Sequence, residues 1–293
     1  MFTRPVLGLI AGLLSGLVPA HAVPVAEWVG TFVWRDDGPD FGGLSSLELS
    51  SDGSRFLTLS DRSEAFEGTF TRDGEGAVNG ADITFTTPLN DAGGIPLSEK
   101  TVDSEGLATL PDGTVSISFE GEHRLTFRSA PDGPEQAAPL PPGSDDWEGN
   151  LGLEALAAAP DGTLWALTEG TIDGDHAVLR YRGGAWLAPL GLHREGTWRP
   201  VGADFGPDGR LYLLERDFWP LVGFMSRVLR FDAGEDGLSN PQVLFQSRAG
   251  MFDNLEGLAV WQDRDGAIRL TLISDDNFLP VQKTEIVDLR VTE

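Results

Sequence analysis

Short apolar runs alternate with polar turns along the chain, and one arrangement of them recurs. In its last copy an apolar run at Asn254–Val260 leads to a polar turn at 263–266 and a second apolar run at Ile268–Ile273, which ends at Asp275. Asp-Gly between two apolar runs is the strongest short-range signal of a β-hairpin, because glycine tolerates positive φ. The pattern therefore predicts a series of hairpins whose two open ends carry acidic residues.

The hairpins return at a regular interval of about 50 residues, and further strand-like segments follow them. The turn glycines of the five copies are Gly53, Gly113, Gly162, Gly209 and Gly266. No segment has a sustained 3.6-residue apolar period, so little helix is expected. Repeats of this length, each with about four strands, are typical of a β-propeller.

The predicted fold is therefore all-β, a β-propeller of five four-stranded blades. One strand, Ala26–Trp34, precedes the first repeat, and the last repeat is one strand short after Val291. Pairing of the N-terminal and C-terminal strands would close the ring and remove a bare strand edge. A six-bladed ring stays open as an alternative, because Thr31–Thr101 is long enough to contain two blades.

Residues 1–22 have the three parts of a secretory signal peptide. Arg4 supplies the positive charge, Val6–Val18 is apolar, and Ala20-His21-Ala22 is a small-x-small cleavage site. We expect a periplasmic or secreted protein with a single domain at 23–293. The chain has no cysteine, which excludes disulfides, thiolate zinc sites and thiol catalysis.

The charge balance is strongly acidic, with 46 acidic and 21 basic residues and a formal net charge of −25. Such a chain repels nucleic acid and anionic membrane surfaces. We expect a monomer that acts on a small-molecule ester or phosphate, without nucleic acid and without membrane insertion. Solubility and cation binding by clustered carboxylates both account for this balance.

Carboxylates occupy corresponding places in the repeats, where a propeller would gather them at one mouth of its channel. The first ring precedes the hairpin turns and consists of Glu105, Glu154 and Glu256. It is incomplete, since Ser45 and Val201 stand at the matching places in the other two repeats. The second ring follows the second strand of each hairpin and consists of Asp61, Glu120, Glu169, Glu215 and Asp275.

Carboxylates crowded in this way repel one another, and a bound cation is one way to keep them ionised. Ligands that are all oxygen favour Ca²⁺ or another hard cation over zinc or copper. The predicted metal ligands are Glu105, Glu154, Glu256, Asp61, Glu120 and Glu169. A structural role is the alternative for each of them, because carboxylates at strand ends often accept hydrogen bonds from backbone amides.

Two arginines are adjacent in sequence to members of the second ring. A guanidinium there can hold a phosphate by bidentate contact, although a salt bridge to the adjacent carboxylates is the favoured alternative for each arginine taken alone. The predicted catalytic residues are Arg62, Arg216, Glu215 and Asp275.

The chain resembles the phytase-like domain family of exported bacterial proteins, which is named for an esterase-like activity of phytase. The segments that carry the resemblance are Glu105–Ala108, the Pro-Asp-Gly turns, Glu215–Asp217, Asn254–Leu258 and Ser274–Phe278, within about Phe41 to Arg290. The resemblance implies a β-propeller and hydrolysis of phosphate or other esters.

Three functions are compatible with these patterns. The first is an exported, calcium-assisted phosphoesterase whose carboxylates hold the cation and whose arginines position the phosphate. The second is a non-catalytic propeller that binds a ligand or partner protein on the same face, with structural carboxylates. The third is a calcium propeller of the lactonase type, in which the metal activates an ester carbonyl.

Overall fold

The computed structural model describes residues 24–97, 103–120, 122–144, 147 and 152–293. The signal peptide predicted at 1–22 lies outside the described residues. Strands make up the regular structure of the described chain, and none of its segments is an α-helix. No helix among these residues has the length and apolarity that crossing a membrane requires.

The strands form five antiparallel sheets, the blades; four blades follow the order of the chain, and the last takes its outer strand from the N-terminus. The chain begins with β1 (Val25–Trp34), which belongs to the last blade. Blade 1 contains β2 (Leu44–Leu49), β3 (Arg55–Ser60), β4 (Glu64–Arg72) and β5 (Val78–Pro88). Blade 2 contains β6 (Ser104–Thr109), β7 (Val115–Phe119), β8 (Arg124–Arg128) and β9 (Gln136–Ala137).

The remaining blades have the same plan. Blade 3 contains β10 (Leu153–Ala158), β11 (Leu164–Ile172), β12 (Asp175–Arg182) and an outer strand split into β13 (Ala185–Trp186) and β14 (Leu190–His193). Blade 4 contains β15 (Arg199–Phe205), β16 (Leu211–Trp219), β17 (Gly223–Gly234) and β18 (Gly237–Gln246). Blade 5 contains β19 (Asn254–Gln262), β20 (Ile268–Asp275), β21 (Thr284–Thr292) and β1.

The propeller has five blades, and its two ends close the ring as the sequence predicts. The N-terminal strand β1 pairs with β21 from Val25 opposite Thr292 to Trp34 opposite Thr284. Among its described residues, the interval that left a sixth blade open contains the end of β1 and the four strands of blade 1. It is long because β4 and β5 are strands of 9 and 11 residues. This pairing gives blade 5 its fourth strand and covers the edge of β21.

The Asp-Gly hairpin turns are confirmed in every blade. The turn glycines Gly53, Gly113, Gly162, Gly209 and Gly266 have φ between 69° and 89°. Each donates its amide N–H to the carbonyl three residues earlier, over 2.8–3.0 Å. The preceding aspartates Asp52, Asp112, Asp161 and Asp208 each accept a backbone N–H bond two residues ahead. Glycine removes the Cβ that would oppose positive φ, and aspartate satisfies the turn amides.

The apolar core lies between blades, not within one central mass. The buried hydrophobic residues form five clusters, and each joins two neighbouring blades. The cluster between blades 5 and 1 is the aromatic one: Trp34 of β1 packs against Phe41, Phe56 and Phe70, with ring centroids 4.9–5.9 Å apart. The closing strand is therefore fixed by side-chain packing as well as by its ladder.

The five inner strands leave almost no open channel at the axis. A Cβ on Gly202 would lie 2.3 Å from the carbonyl oxygen of Glu256, and one on Gly257 would lie 2.8 Å from the carbonyl carbon of Ser46. A cavity of only about 10 Å³ remains at this level. The close approach of the backbones closes the channel directly beneath the first ring of glutamates.

Gly202→Ala tests this close packing. We expect the free energy of unfolding to fall by about 1–3 kcal/mol, the usual cost of inserting a methyl group into a packed region. Urea unfolding measures the change, and Gly234→Ala is the matched control, because a Cβ there meets no atom within 4 Å. Equal stability of the two variants would contradict a closed axis.

Candidate carboxylate site

The three glutamates of the first ring lie on β-bulges of the inner strands. All five inner strands carry a bulge at this position, and the residues within the bulges are Ser45, Glu105, Glu154, Val201 and Glu256. A bulge takes the extra residue out of the ladder and re-aims its side chain. Burial raises the pKa of Glu105 well above its usual range, and Glu154 and Glu256 raise it further. The three carboxylates therefore lie close together at one mouth of the closed channel.

The second ring contains an arginine in blade 4. Backbone pairing places Asp61, Glu120, Glu169, Arg216 and Asp275 at corresponding positions. The sequence predicted Glu215 as the blade 4 member, and the register corrects this by one residue. Glu215 lies opposite Pro200 in the ladder, and its buried carboxylate accepts a hydrogen bond from Arg227 Nε. Because adjacent residues of a strand face opposite sides, Glu215 points away from the ring and Arg216 points into it.

Arg216 neutralises the part of the mouth formed by blades 3 and 5. Its Nη2 donates to Glu169 Oε1 over 3.0 Å, and its Nη1 donates to Asn254 Oδ1 over 2.8 Å and also to Glu256 Oε1. Burial lowers the pKa of Arg216, but Glu256, Glu169 and Glu154 outweigh burial and raise it above its usual value. Burial also raises the pKa of Glu256 to about 7, although Arg216 opposes that shift.

The part formed by blades 1 and 2 has a different electrostatic character. One carboxylate oxygen each of Asp103, Glu105 and Glu120 lies within 4.8 Å of the other two, and we refer to these residues as the acidic trio. None of the ion pairs among the described residues includes a member of the trio. Burial raises the pKa of Asp103, and burial also raises the pKa of Glu120. The trio is therefore a cluster of carboxylate oxygens, and no basic side chain among the described residues forms an ion pair with it.

Asp103 is a site residue that the repeat pattern does not predict. It precedes the inner strand β6, and the corresponding residues of the other blades are Gly43, Gly152, Arg199 and Asn254, so the repeat gives no acidic pattern there. Its φ of 105° is strained for a residue with a Cβ. Two backbone hydrogen bonds hold Asp103 in this conformation. Its N–H donates to the Asp61 carbonyl over 3.0 Å, and its own carbonyl accepts the Glu120 N–H over 2.9 Å.

Asp61 and Asp275 join the two parts of the mouth. Burial, followed by repulsion from Asp275, raises the pKa of Asp61 to about 7. Burial raises the pKa of Asp275 to about 6. The Oδ1 atom of Asp61 is buried without a hydrogen-bond partner in the described structure. Arg62 is exposed at the rim, where its guanidinium carbon lies 3.4 Å from the centroid of the Phe278 ring.

Glu154 connects the acidic trio to the region around Arg216. Burial raises its pKa, and Glu120 and Glu169 add to the rise. Its neighbour Glu120 accepts the Gly152 N–H at Oε1 over 3.3 Å. The predicted metal ligands thus form one continuous set of carboxylates, but Glu169 and Glu256 are the members that bond Arg216.

A cleft of about 450 Å³ opens beside the Arg216 part of the mouth. We call it the arginine cleft, and the lining residues that matter here are Arg194, Arg199, Arg216, Glu169, Phe218 and Phe224. Arg199 Nη1 bonds Glu169 Oε2 over 2.9 Å, so Glu169 lies between two guanidinium groups. The cleft therefore brings three arginines together beside two carboxylates, Glu169 and Asp217, in a chain whose overall balance is negative.

A separate acidic pair lies toward the hairpin-turn end of the inner strands. Burial, followed by repulsion from Asp204, raises the pKa of Glu48 well above its usual range. Burial raises the pKa of Asp204 to about 7, although its carboxylate accepts the Val260 N–H over 2.6 Å and the Phe205 N–H over 2.7 Å. These two acids come from blades 1 and 4, the blades that lack a glutamate in the first ring.

Glu48→Gln should stabilise the protein increasingly as pH rises. A raised carboxyl pKa means that the folded state binds the proton more tightly than the unfolded state, so stability is lost as pH rises from about 4 through the folded pKa. Glutamine mimics the protonated side chain and removes that loss. Urea unfolding at pH 5 and pH 8 measures the effect, with exposed Glu27→Gln as control. A stability difference from the wild type that does not change with pH would contradict the prediction.

The fold and site define a five-bladed β-propeller with a carboxylate mouth and an adjacent arginine cleft. The sequence profile of the phytase-like family, described as esterase-like activity of phytase, matches residues 39–278. The chain belongs to this family. The match contains both rings, the acidic trio and the cleft arginines. No curated protein sequence matches the chain.

Solved structures with similar folds have very different sequences. An α-L-arabinofuranosidase from Podospora anserina, in complex with cellotriose, has a TM-score of 0.54 at 10% identity, over 92% of this chain and 98% of that one. The PQQ-bound aldose sugar dehydrogenase from Streptomyces coelicolor has a TM-score of 0.44 at 14% identity, over 90% of this chain and 98% of that one. At 10% identity the likeness to the arabinofuranosidase is one of fold alone.

Proposed function

We propose that this protein is an exported phosphate-ester hydrolase that uses a hard divalent cation, Ca²⁺, at its carboxylate mouth. The observation that carries the proposal is the division of the mouth into two parts. Arg216 bonds the carboxylates of Glu169 and Glu256, whereas the acidic trio has no described basic partner. A cation bound by the trio and the arginines that line the cleft would together supply positive charge on two sides of a phosphate.

The residues of the trio fit a hard cation. Asp103, Glu105 and Glu120 offer only oxygen, which is the donor that Ca²⁺ prefers, and buried carboxylates so close together are stabilised when a cation compensates their repulsion. Glu154 and Asp61 lie around them, and the unpartnered Oδ1 of Asp61 is a further available acceptor. When bound, such a cation stabilises negative charge on a phosphoryl oxygen and lowers the pKa of a bound water.

The arginines of the cleft would position the phosphate of a substrate. Arg216 is fixed by three hydrogen bonds, so its remaining N–H donors are preorganised for a phosphate oxygen. Arg199 is half exposed and lines the same cleft. Arg62 lies at the rim, and we assign it at most a contact with the outer part of a substrate. Glu215 has no role in this proposal, because its carboxylate bonds Arg227.

Turnover of p-nitrophenyl phosphate tests the proposal. We expect hydrolysis with added Ca²⁺ and its loss with a chelator, and Glu105→Gln should lose the activity because it removes a carboxylate of the trio. Glu122→Gln is the matched control, since Glu122 is exposed in the same blade. Turnover that neither the chelator nor Glu105→Gln reduces would contradict a metal at the trio.

A non-catalytic binding role is the second candidate. It is favoured by the hydrogen bonds that tie ring carboxylates to the fold, such as Asp275 Oδ1 accepting the Asn277 N–H over 2.6 Å. In that case Ca²⁺ should raise the melting temperature without any turnover. Hydrolysis of lactones in place of phosphate esters would assign the chain to the lactonase-type alternative.

A further inference from the structure

The arginine cleft has two walls of opposite character. Its polar lining, which we call the polar wall, carries Arg194, Arg199 and Arg216 with Glu169 and Asp217 beside them. Its aromatic lining, which we call the aromatic wall, carries Phe218 and Phe224, whose ring centroids lie 4.9 Å apart. A ligand that contacts only the arginines would leave the phenyl rings exposed to water. The cleft is therefore complementary to a molecule with an anionic end and an apolar end.

The aromatic wall continues into an exposed apolar rim on the hairpin between β16 and β17. Phe218 is 54% exposed and Trp219 is 51% exposed, and Leu221 and Val222 at the tip are also exposed. Contiguous apolar side chains of this kind beside a cleft mark a contact surface for a ligand or partner. The rim opens directly from the cleft, because Phe218 belongs to both.

Hydrogen bonds hold this hairpin in a defined place. Asp217 accepts the Phe218 N–H over 2.9 Å and the Trp219 Nε1–H over 2.8 Å. The Gly250 N–H bonds the carbonyl of Phe224 over 2.8 Å, which ties the hairpin to the loop before blade 5. The aromatic wall is thus preorganised, so the protein loses little conformational entropy when an apolar group binds there.

The polar wall retains an unused donor. Arg194 Nε is buried and has no hydrogen-bond partner among the described residues, unlike Arg199 and Arg216, which bond Glu169. An unsatisfied buried donor is costly unless a ligand or water completes it. No carboxylate pairs with Arg194 among the described residues, so its guanidinium can turn toward an oxygen of a phosphate bound in the cleft.

We propose that the substrate is a phosphate ester with an apolar aryl or alkyl group, its phosphate held by Arg194, Arg199 and Arg216 and its apolar group by Phe218 and Phe224. This proposal rests on the proposed function of the same site. Water oxygen bonds to phosphorus as the phosphorus–oxygen ester bond breaks, and the leaving oxygen takes a proton. The products are inorganic phosphate and an apolar alcohol or phenol. A polyol with many phosphates would place charged groups against the phenyl wall and lose hydration there.

Binding of non-hydrolysable phosphonates to the full-length protein with Ca²⁺ tests the inference by calorimetry. We expect phenylphosphonate to bind at least roughly tenfold more tightly than methylphosphonate, since even one methylene in an apolar pocket gives about that discrimination. Phe218→Ala should remove most of this preference, and Arg194→Gln should weaken both ligands by the same factor. Phe85→Ala is the control, because Phe85 is 46% exposed on the outer strand of blade 1.

Turnover separates this inference from the proposed function. The inference predicts a higher kcat/KM for phenyl phosphate than for glycerol 2-phosphate or inositol hexakisphosphate, and a selective loss in Phe218→Ala. Equal affinities for the two phosphonates, or polyol phosphates that are hydrolysed as well as phenyl phosphate, would overturn the inference and leave hydrolysis intact. A phenylphosphonate preference that depends on Phe218, without any turnover, would refute catalysis and support the assigned ligand class.

Discussion

Arg216→Ala should lower the free energy of unfolding by about 3 kcal/mol at pH 8, the largest electrostatic effect that we expect in this protein. Removing one partner of a buried ion pair typically costs about 3–5 kcal/mol, because the remaining charge is left without compensation. We expect the lower end of this range because the Arg216 side chain is still 21% exposed. Glu169 and Glu256, which are 7% and 13% exposed, would both lose their bond to the arginine.

The pH dependence identifies the cause of this loss. Without the arginine, the pKa of Glu256 should rise beyond its present value of about 7, because Arg216 now lowers it. A raised carboxyl pKa costs stability as pH increases, so the deficit of Arg216→Ala should be smaller at pH 5 than at pH 8. Urea unfolding at both pH values measures it.

Arg62→Ala is the control for the loss of an arginine beside the second ring. Arg62 is exposed and stacks on Phe278, so its removal should cost less than about 1 kcal/mol at either pH. Equal stability of Arg216→Ala and Arg62→Ala at pH 8 would show that Arg216 does not compensate the buried carboxylates.

Trp34→Ala should cost about 3–5 kcal/mol, the usual range for removing a large buried aromatic side chain. Trp34 is 3% exposed and lies at the end of the closing strand β1. It contacts Phe41, Phe56 and Phe70, so the truncation leaves a cavity between blades 5 and 1, where the ring closes. Loss of this packing weakens the attachment of β1 and exposes the edge of β21.

Trp28→Ala is the matched control, because Trp28 belongs to the same strand but is 53% exposed. We expect a change below about 1 kcal/mol for it in urea unfolding, in line with surface substitutions. If Trp28→Ala destabilised the protein as much as Trp34→Ala, packing of Trp34 in the aromatic cluster would not be what holds the closing strand.

The fold was predictable because its signals are local. Asp-Gly at residues 112–113 and 161–162 sets the turn by its own backbone preference, and the regular interval between such turns reveals repeated blades. The unpaired first strand and the incomplete last repeat predicted ring closure, and β1 pairs with β21 as expected. Counting of corresponding positions also found the first ring, since its glutamates lie within the same bulge of three blades.

The site was only partly predictable, because one residue of register decides which side chains face the mouth. Glu215 and Arg216 are adjacent in sequence, and only the pairing of β15 with β16 shows that the arginine occupies the ring position. Asp103 has no acidic equivalent in the other blades, so no repeat pattern marks it. Arg194 comes from a loop, and the sequence gives no distance between that loop and Phe224.

The sequence by itself determined a closed propeller of five or six blades with carboxylates at one mouth of its axis, because turn chemistry and apolar alternation act between residues that are near in the chain. The tertiary structure alone decided how those charges are compensated. Arg216 reaches Glu169 and Glu256, which lie 47 and 40 residues away, while Asp103, Glu105 and Glu120 converge without a described basic partner. Compensation depends on distance and burial between blades, and these arise only when the ring closes.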